Sequence, residues 1–281
     1  MKLVSYVRLC RPFYSVPMAL TFTLTVYYAR GGVMADVWPA TWLATTALLL
    51  LIAGAYALND AADVEFDRLG APERPIPAGE ASRTGATILG LGLWVFGVAL
   101  GSFVGPAAFP PVLWAVAMGL LLYDAFSKHL GVGKQWAVAI LMTSLYPLAI
   151  TFAGGATGSR ARTLLPFAGW MFLSAYAGEL LRDIRDRKSD AQVIGRRNWV
   201  QHRPRTWLYV ASWLILLGAA VLVAPAFLGC RLMYVAGLPV VLAVAVWAAL
   251  VRHYEPKLKL LYLEFVLVGV LTTLDVIVYG F

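Results

Sequence analysis

The sequence predicts an all-α membrane protein of about nine transmembrane helices, with its N-terminus on the cytoplasmic side. Three observations predict this. Of 281 residues 60% are apolar and 14% charged, whereas a soluble domain is nearer 45–50% apolar and a quarter charged. Apolar stretches long enough to cross a hydrocarbon core follow one another along the whole chain. Lys and Arg lie almost entirely in alternate connections between those stretches, as loops kept in the cytoplasm do.

The apolar stretches fall at 13–30, 38–58, 85–106, 107–126, 134–154, 164–181, 206–228, 232–251 and 260–280. The third and fourth nearly merge, and Gly105, Pro106, Pro110 and Pro111 supply the turn between them, because such residues interrupt the backbone ladder. No interval is wide enough for a separate soluble module, so residues 1–281 are expected to form a single membrane domain. Nineteen of the 23 Lys and Arg residues lie before the first span and in 61–84, 127–134, 182–205 and 252–259. Arg30, Arg160, Arg162 and Arg231 occupy the other side. That asymmetry places the N-terminus inside and, with nine spans, the C-terminus outside.

Lys2, Arg8 and Arg11 precede an apolar run in the manner of a secretory signal, but no small-residue cleavage site leads out of it, so it reads as the first span. Cys10 and Cys230 fall on opposite sides of the bilayer in this topology, which argues against a disulfide, and their spacing suggests no metal site. The formal charge of +8 resides in loops between spans rather than on a soluble face. Anionic lipid head groups, not nucleic acid, are the expected partners.

The acidic residues are more informative. Of 15 Asp and Glu, six lie in 60–80 and four in 179–190, both on the cytoplasmic side. Asp60, Asp63 and Asp67 stand at i, i+3 and i+7, and Asn59 adds i, i+4 and i+8. At about 100° per residue these share one helical face. Asp183, Asp186 and Asp190 repeat the spacing, each 123 residues after its counterpart, which hints at an internal duplication.

Carboxylates in a row repel one another unless a cation neutralises them. Mg²⁺ takes oxygen ligands and is typically held by one or two carboxylates together with substrate phosphates. Two stripes facing across a bundle would hold Mg²⁺ bridged to a diphosphate, and the metal would neutralise the leaving group as its bond breaks. The plainer alternative is a set of solvated loop acids balanced by nearby Arg and Lys. Two stripes of identical spacing, each continuing an apolar span, favour the site.

At these residues the chain resembles the UbiA superfamily of intramembrane prenyltransferases. The Asn-Asp-x-x-Asp-x-x-x-Asp signature is met by residues 59–67, and the second signature, Asp-x-x-x-Asp, by Asp186 and Asp190. The Arg-Pro-(Leu/Ile)-Pro-x-Gly loop is met by Arg74 to Gly79, and a Tyr and Lys after the fourth span by Tyr123 and Lys128. The resemblance implies a bundle around a central cavity, capped on the cytoplasmic side and open laterally to lipid, in which Mg²⁺ holds a polyprenyl diphosphate. Carried over by position, it assigns Asn59, Asp63 and Asp67 to one ion and Asp186 and Asp190, helped by Asp183, to the other. Catalysis falls to Asp63, Asp67, Asp186 and Asp190. Contacts to the diphosphate fall to Asn59, Arg74, Tyr123, Lys128 and Asp183. The chain departs from the family after Asp190, where Ala191-Gln192-Val193-Ile194-Gly195-Arg196 replaces a Gly followed by Lys-Thr or Lys-Ser, and this bears on the acceptor.

An allylic diphosphate ionises when preorganised positive groups meet its departing charge, and the cation must then be kept from water. The acceptor implied is lipophilic: an aromatic quinone precursor, a tetrapyrrole ester or a glyceryl-phosphate lipid, with the Arg-Pro-Ile-Pro wording leaning to the last two. Cyclisation of the allylic cation and phosphoribosyl transfer to a polyprenyl phosphate use the same stripes. An ion-coupled transporter is the reading outside enzymes, but it calls for acids at mid-membrane and interrupted helices. Trp94, Trp114, Tyr146, Trp170, Tyr176 and Phe265 are available to line a cavity and are assigned no role. Glu264, near a helix end, reads as a solvated residue, and Asp275, deeper, as one facing the bundle or a polar partner. His129, His202 and His253 suggest no metal triad. The sequence does not disclose oligomeric state.

Overall fold

The computed structural model describes residues 2–127, 130–193 and 203–279, and these hold no strand. Thirteen helices run in order: α1 Lys2–Leu9, α2 Pro12–Ala29, α3 Trp38–Ala62, α4 Val64–Gly70, α5 Arg83–Ser102, α6 Phe109–Phe126, α7 Gly133–Thr143, α8 Leu145–Phe152, α9 Gly158–Val193, α10 Pro204–Val221, α11 Ala224–Leu228, α12 Leu232–Leu250 and α13 Tyr254–Tyr279. Among the described residues, eight helical stretches are long and apolar enough to cross a membrane, counting α7 with α8 and α10 with α11 as one stretch each. Helix α2 coincides with the first expected span but, with its Pro, Thr and Tyr content, is not among the eight. The protein is an integral, multi-pass membrane protein. Its outer surface is correspondingly apolar, with Ile88, Phe96, Trp213, Trp247 and Leu250 facing outward.

Two expected spans are broken, and proline accounts for both. Pro147 has no N–H for the carbonyl of Thr143, where α7 ends, and Pro225 has none for Val221, where α10 ends. Backbone hydrogen bonds bridge each break, from Leu148 N–H to Ser144 O and from Val223 N–H to Ala220 O, and the helix resumes as α8 and α11.

The expected duplication extends beyond the acids. Shifted by 123 residues, Ala29 at the end of α2 falls on Phe152 at the end of α8, and Phe109 at the start of α6 falls on Leu232 at the start of α12. Helix α3 packs on α5 as α9 packs on α10. Helix α13, shifted back by the same 123 residues, falls on α7 and α8, and it lies against α12, α9 and α2.

Small residues let α3 and α5 approach closely. A methyl group at Gly54 would stand 2.7 Å from the Gly90 carbonyl oxygen, and one at Gly97 would stand 2.7 Å from that of Ala47. Close backbone contact of this kind is how helices associate in lipid, where apolar side chains gain nothing by leaving the solvent. The core continues inward through Phe22, Phe109 and Phe152, whose rings meet at tilted and edge-to-face angles, to Phe167 and Tyr234.

Glu264 corrects the sequence reading. It is fully buried, and Trp170 Nε1 donates to its Oε1 at 2.7 Å. Only three residues beyond Leu261, which packs toward Gly178 on α9, it faces the interior rather than water. Asp275 faces a polar partner as expected, accepting from the backbone N–H groups of Arg231 and Tyr234 at the start of α12.

Candidate active site

The first acidic row begins on α3 and ends on α4. Asp60 sits in the last turn of α3, Asp63 occupies the joint with φ −89° and ψ 11°, and Asp67 lies on α4. The sequence predicts one helical face, and the backbone ladder does persist through the joint: Asp63 N–H donates to Asn59 O and Asp67 N–H to Asp63 O, each at 2.9 Å. Asn59 is half-buried beside them.

Two arginines from outside the row reach it. Arg11, between α1 and α2, is the one described non-glycine residue with positive φ (45°). Pro12 follows it and disfavours the right-handed helical conformation at Arg11. A left-handed residue is strained and persists only where its surroundings hold it, and here the side chain is well held. Arg11 forms an ion pair with Asp60, and its guanidinium lies 5.0 Å from the centre of the Tyr56 ring. Arg74 comes from the Arg-Pro-Ile-Pro-Ala-Gly turn, in which Ala78 N–H returns to Arg74 O at 3.0 Å and Gly79 takes φ 74°. Its Nη1 is 2.6 Å and 2.7 Å from the two oxygens of Asp67 and 3.6 Å from Asp60 Oδ1. Burial pushes the Asp67 carboxyl above the ordinary range, and Arg74 beside it pulls it part of the way back. Burial alone would weaken the charge on Arg74. Asp67, Asp60 and, from the other row, Asp186 more than offset this and hold it above its usual range.

That reach from Arg74 to Asp186 joins the two rows. Helix α4 packs on α9, which carries Asp183 and Asp186 in one unbroken helix running to Val193. Asp186 pairs with Arg185 at 2.7 Å. Asp183 is 3% exposed, and its oxygens accept from Lys134 Nζ, at 2.6 Å, and from Gln135 Nε2. Lys134 also stands 2.7 Å from Glu179, which pairs with Arg182 at 2.7 Å, and Arg182 donates to Tyr262 Oη at 3.2 Å.

Helix α6 closes the third side. Tyr123 lies within electrostatic reach of Glu179, Lys134, Arg182 and Asp183, and Asp124 within reach of Asp63 and Arg11. Asp60, Asp63, Asp67, Arg74, Asp183, Asp186 and Tyr123 are thereby drawn to one end of the bundle. Lys128 and the side chain of Asp190 lie outside the described residues.

Sequence reasoning missed Arg11, Asp124, Lys134, Gln135 and Arg182. Arg11 and Lys134 had a usable signal, since they are 123 residues apart like the aspartates. Asp124 had none, being a lone acid at the end of an apolar run.

The donor set suits a hard cation. Among the described residues no three His, Cys, Asp or Glu side chains form a complete metal cage. The donors that converge are oxygens from separate helices, as a cation shared with substrate phosphates requires. Asp124 Oδ2 is buried and has no hydrogen-bond partner. A buried carboxylate oxygen left bare beside another carboxylate is costly, and a cation there would relieve it.

The model of the UbiA prenyltransferase family matches residues 19–266. The chain belongs to the UbiA prenyltransferase family. Over 191 residues, 68% of this chain, it is 31% identical to the digeranylgeranylglyceryl phosphate synthase of Methanoculleus marisnigri, and over 181 residues it is 32% identical to that of Methanoregula boonei. The matched stretches span 66% and 62% of those relatives' own lengths, just under two thirds. Among solved structures, one that describes a digeranylgeranylglyceryl phosphate synthase in membranes superposes with a TM-score of 0.73 at 20% identity, covering 98% of this chain and 99% of that one. A UbiA homologue from Archaeoglobus fulgidus bound to DMAPP and Mg²⁺ superposes with a TM-score of 0.71 at 14% identity, over 98% and 99% of the two chains. The chain thus has the UbiA fold.

Proposed function

We propose that this UbiA-family chain transfers a polyprenyl group from its diphosphate to the free hydroxyl of a prenylated glyceryl phosphate, at a site facing the cytoplasm. The observation that carries the reading is the meeting of two aspartate rows at Arg74, which touches Asp60 and Asp67 and lies within reach of Asp186. Relatives named for digeranylgeranylglyceryl phosphate synthesis support the glyceryl-lipid acceptor over aromatic or tetrapyrrole ones. A homologue with DMAPP and Mg²⁺ supports a prenyl diphosphate held through that metal.

Asn59, Asp63, Asp67 and Asp124 would hold one Mg²⁺, and Asp186 and Asp190 the other. When bound, the ions would neutralise the oxygens of the leaving pyrophosphate. Arg74 and Arg182 would add fixed positive charge around the same oxygens, with Tyr123 beside them, and the family resemblance gives Lys128 the same role. The allylic C–O bond breaks and the electron pair leaves with pyrophosphate. The acceptor oxygen then forms the ether bond to the allylic carbon and gives its proton to the departed pyrophosphate. The apolar helices below the aspartates would take the prenyl chain and exclude water from the cation.

The test uses purified full-length protein with radiolabelled geranylgeranyl diphosphate, Mg²⁺ and geranylgeranylglyceryl phosphate. The expected result is a labelled diether phosphate and one pyrophosphate per product. Pyrophosphate release with a hydrocarbon product and no acceptor consumed would identify a cyclase instead, and absence of both products would reject the transferase.

A further inference from the structure

The two halves of the chain share more than their aspartates. Arg11 and Lys134 each lie 49 residues before the first aspartate of a row, and each is bonded to it: Arg11 to Asp60 and Lys134 to Asp183. Each base also touches the residue one turn before that aspartate, Arg11 over the Tyr56 ring and Lys134 on Glu179 at 2.7 Å. The chemistry at this middle position differs, aromatic in one half and acidic in the other, yet the three-part contact is the same. A base at the foot of one helix is docked against two successive turns of the next.

This clamp occupies the first aspartate. Asp183 has one oxygen on Lys134 and the other on Gln135, whose own Oε1 is buried with no partner. Drawing Asp183 to a cation would strip Lys134 or Gln135 of a partner in a closed setting, which costs more than the bond is worth in water. Residue 182 points the same way. In the first half the corresponding residue is Asn59, a neutral oxygen donor, whereas Arg182 is a cation already paired with Glu179.

Resting on the transferase reading above, we propose that Lys134 is a positioning residue. With Gln135 it holds Asp183 out of the metal ligand set, so that ligation on α9 begins at Asp186, and Arg11 does the same for Asp60, so that the aspartate ligands of the first row begin at Asp63, beside the amide oxygen of Asn59. This changes the role that the family resemblance implies for Asp183, from ligand to anchor.

The test is equilibrium binding of Mn²⁺ to the full-length protein in the presence of inorganic pyrophosphate, read by calorimetry or by the free Mn²⁺ signal. Asp186→Asn is the reference, expected to weaken binding about tenfold or more, as loss of a ligand does. The neutral pair Lys134→Met with Asp183→Asn removes both members of the clamp at once. It is expected to bind within about threefold of wild type and more tightly than Lys134→Met alone, which strands a buried carboxylate. A double variant as weak as Asp186→Asn would overturn the proposal. Should that variant not fold, Asp183→Asn alone decides, because Lys134 keeps Glu179; binding within about threefold supports the clamp and a tenfold loss overturns it. If wild type and Asp186→Asn bind alike, the metal reading itself falls, and the clamp's role falls with it.

Discussion

Lys257 and Asp275, at opposite ends of the buried face of α13, hold opposite ends of α12. Lys257 Nζ donates to the carbonyls of Ala248 and Ala249 at 2.6 Å and 3.0 Å and to Ser212 Oγ at 2.7 Å. Asp275 accepts from the N–H groups of Arg231 and Tyr234 at 2.8 Å and 3.2 Å. Each charge has the sign that the α12 dipole favours, and each satisfies groups that a helix end leaves unpaired. Lys257 is 0% and Asp275 3% exposed, so water does not replace either. Helix α13 thus carries both caps of α12.

Removing either cap is expected to loosen this pair of helices. Asp275→Leu strands two N–H groups and should destabilise the protein by about 2–6 kcal/mol, at about 1–3 kcal/mol per unsatisfied group. Asp275→Asn keeps an acceptor oxygen and should cost less. Lys257→Met should resemble Asp275→Leu. A thiol-reactive dye that reports exposure of buried Cys230 on heating would read the loss as a lower Tm, and an unchanged Tm for Asp275→Leu would show that the caps contribute nothing.

The aspartate rows carry a second expectation. Asp63→Ala and Asp186→Ala should each lower turnover at least about a hundredfold while Tm stays within a few degrees, because losing a ligand removes charge stabilisation from the leaving group rather than packing. Chelation by EDTA should abolish turnover, and Mg²⁺ should restore it. Arg74→Ala should act differently. It leaves Asp67 without its counterion and Asp60 with Arg11 alone and should raise KM for the diphosphate about tenfold, equivalent to ~1.4 kcal/mol.

What was legible in the chain, and what was not, follows from the range of the signal. Apolar runs and the i, i+3, i+7 aspartates are local patterns, and they located both acidic rows and most of the long helices to within a few residues, although α9 runs to Val193, well past the expected end at 181, and the short α1 and α4 were not foreseen. Broken spans were legible in principle, since Pro147 and Pro225 stand four residues after the breaks, but a proline inside a membrane helix is often tolerated, as Pro166 and Pro239 are here. Partners were not legible. That Arg11 meets Asp60 and Trp170 meets Glu264 depends on which helices adjoin, and only the repeat interval of 123 hinted at any of it.

Asp124 offers a test of a residue that no motif indicated. Its Oδ2 is buried without a partner and lies within reach of Asp63. If the carboxylate is there to share a cation with Asp63, Asp124→Asn should raise the Mg²⁺ concentration for half-maximal turnover about tenfold and leave Tm unchanged or higher, since one buried like charge has been removed. Unchanged metal dependence, with a higher Tm, would mark Asp124 as a merely tolerated acid.

The contact of α3 with α5 determines how the first row stands, because α3 carries Asn59 and Asp60 while the turn bearing Arg74 leads into α5. Two glycines of α5 separate spacing from helix propensity. At Gly97 a methyl group would lie 2.7 Å from the Ala47 carbonyl oxygen and 2.9 Å from Leu51 N, backbone atoms that cannot turn aside, whereas at Gly92 nothing lies within 4 Å. Gly97→Ala should therefore cost about 1–3 kcal/mol through overpacking and raise KM for the diphosphate as Asp60 moves from Arg74. Gly92→Ala should be neutral or gain up to about 1 kcal/mol of helix propensity. Equal Tm values for the two variants would mean that the helices part without cost, and the close approach would then have no part in holding Asp60 against Arg74.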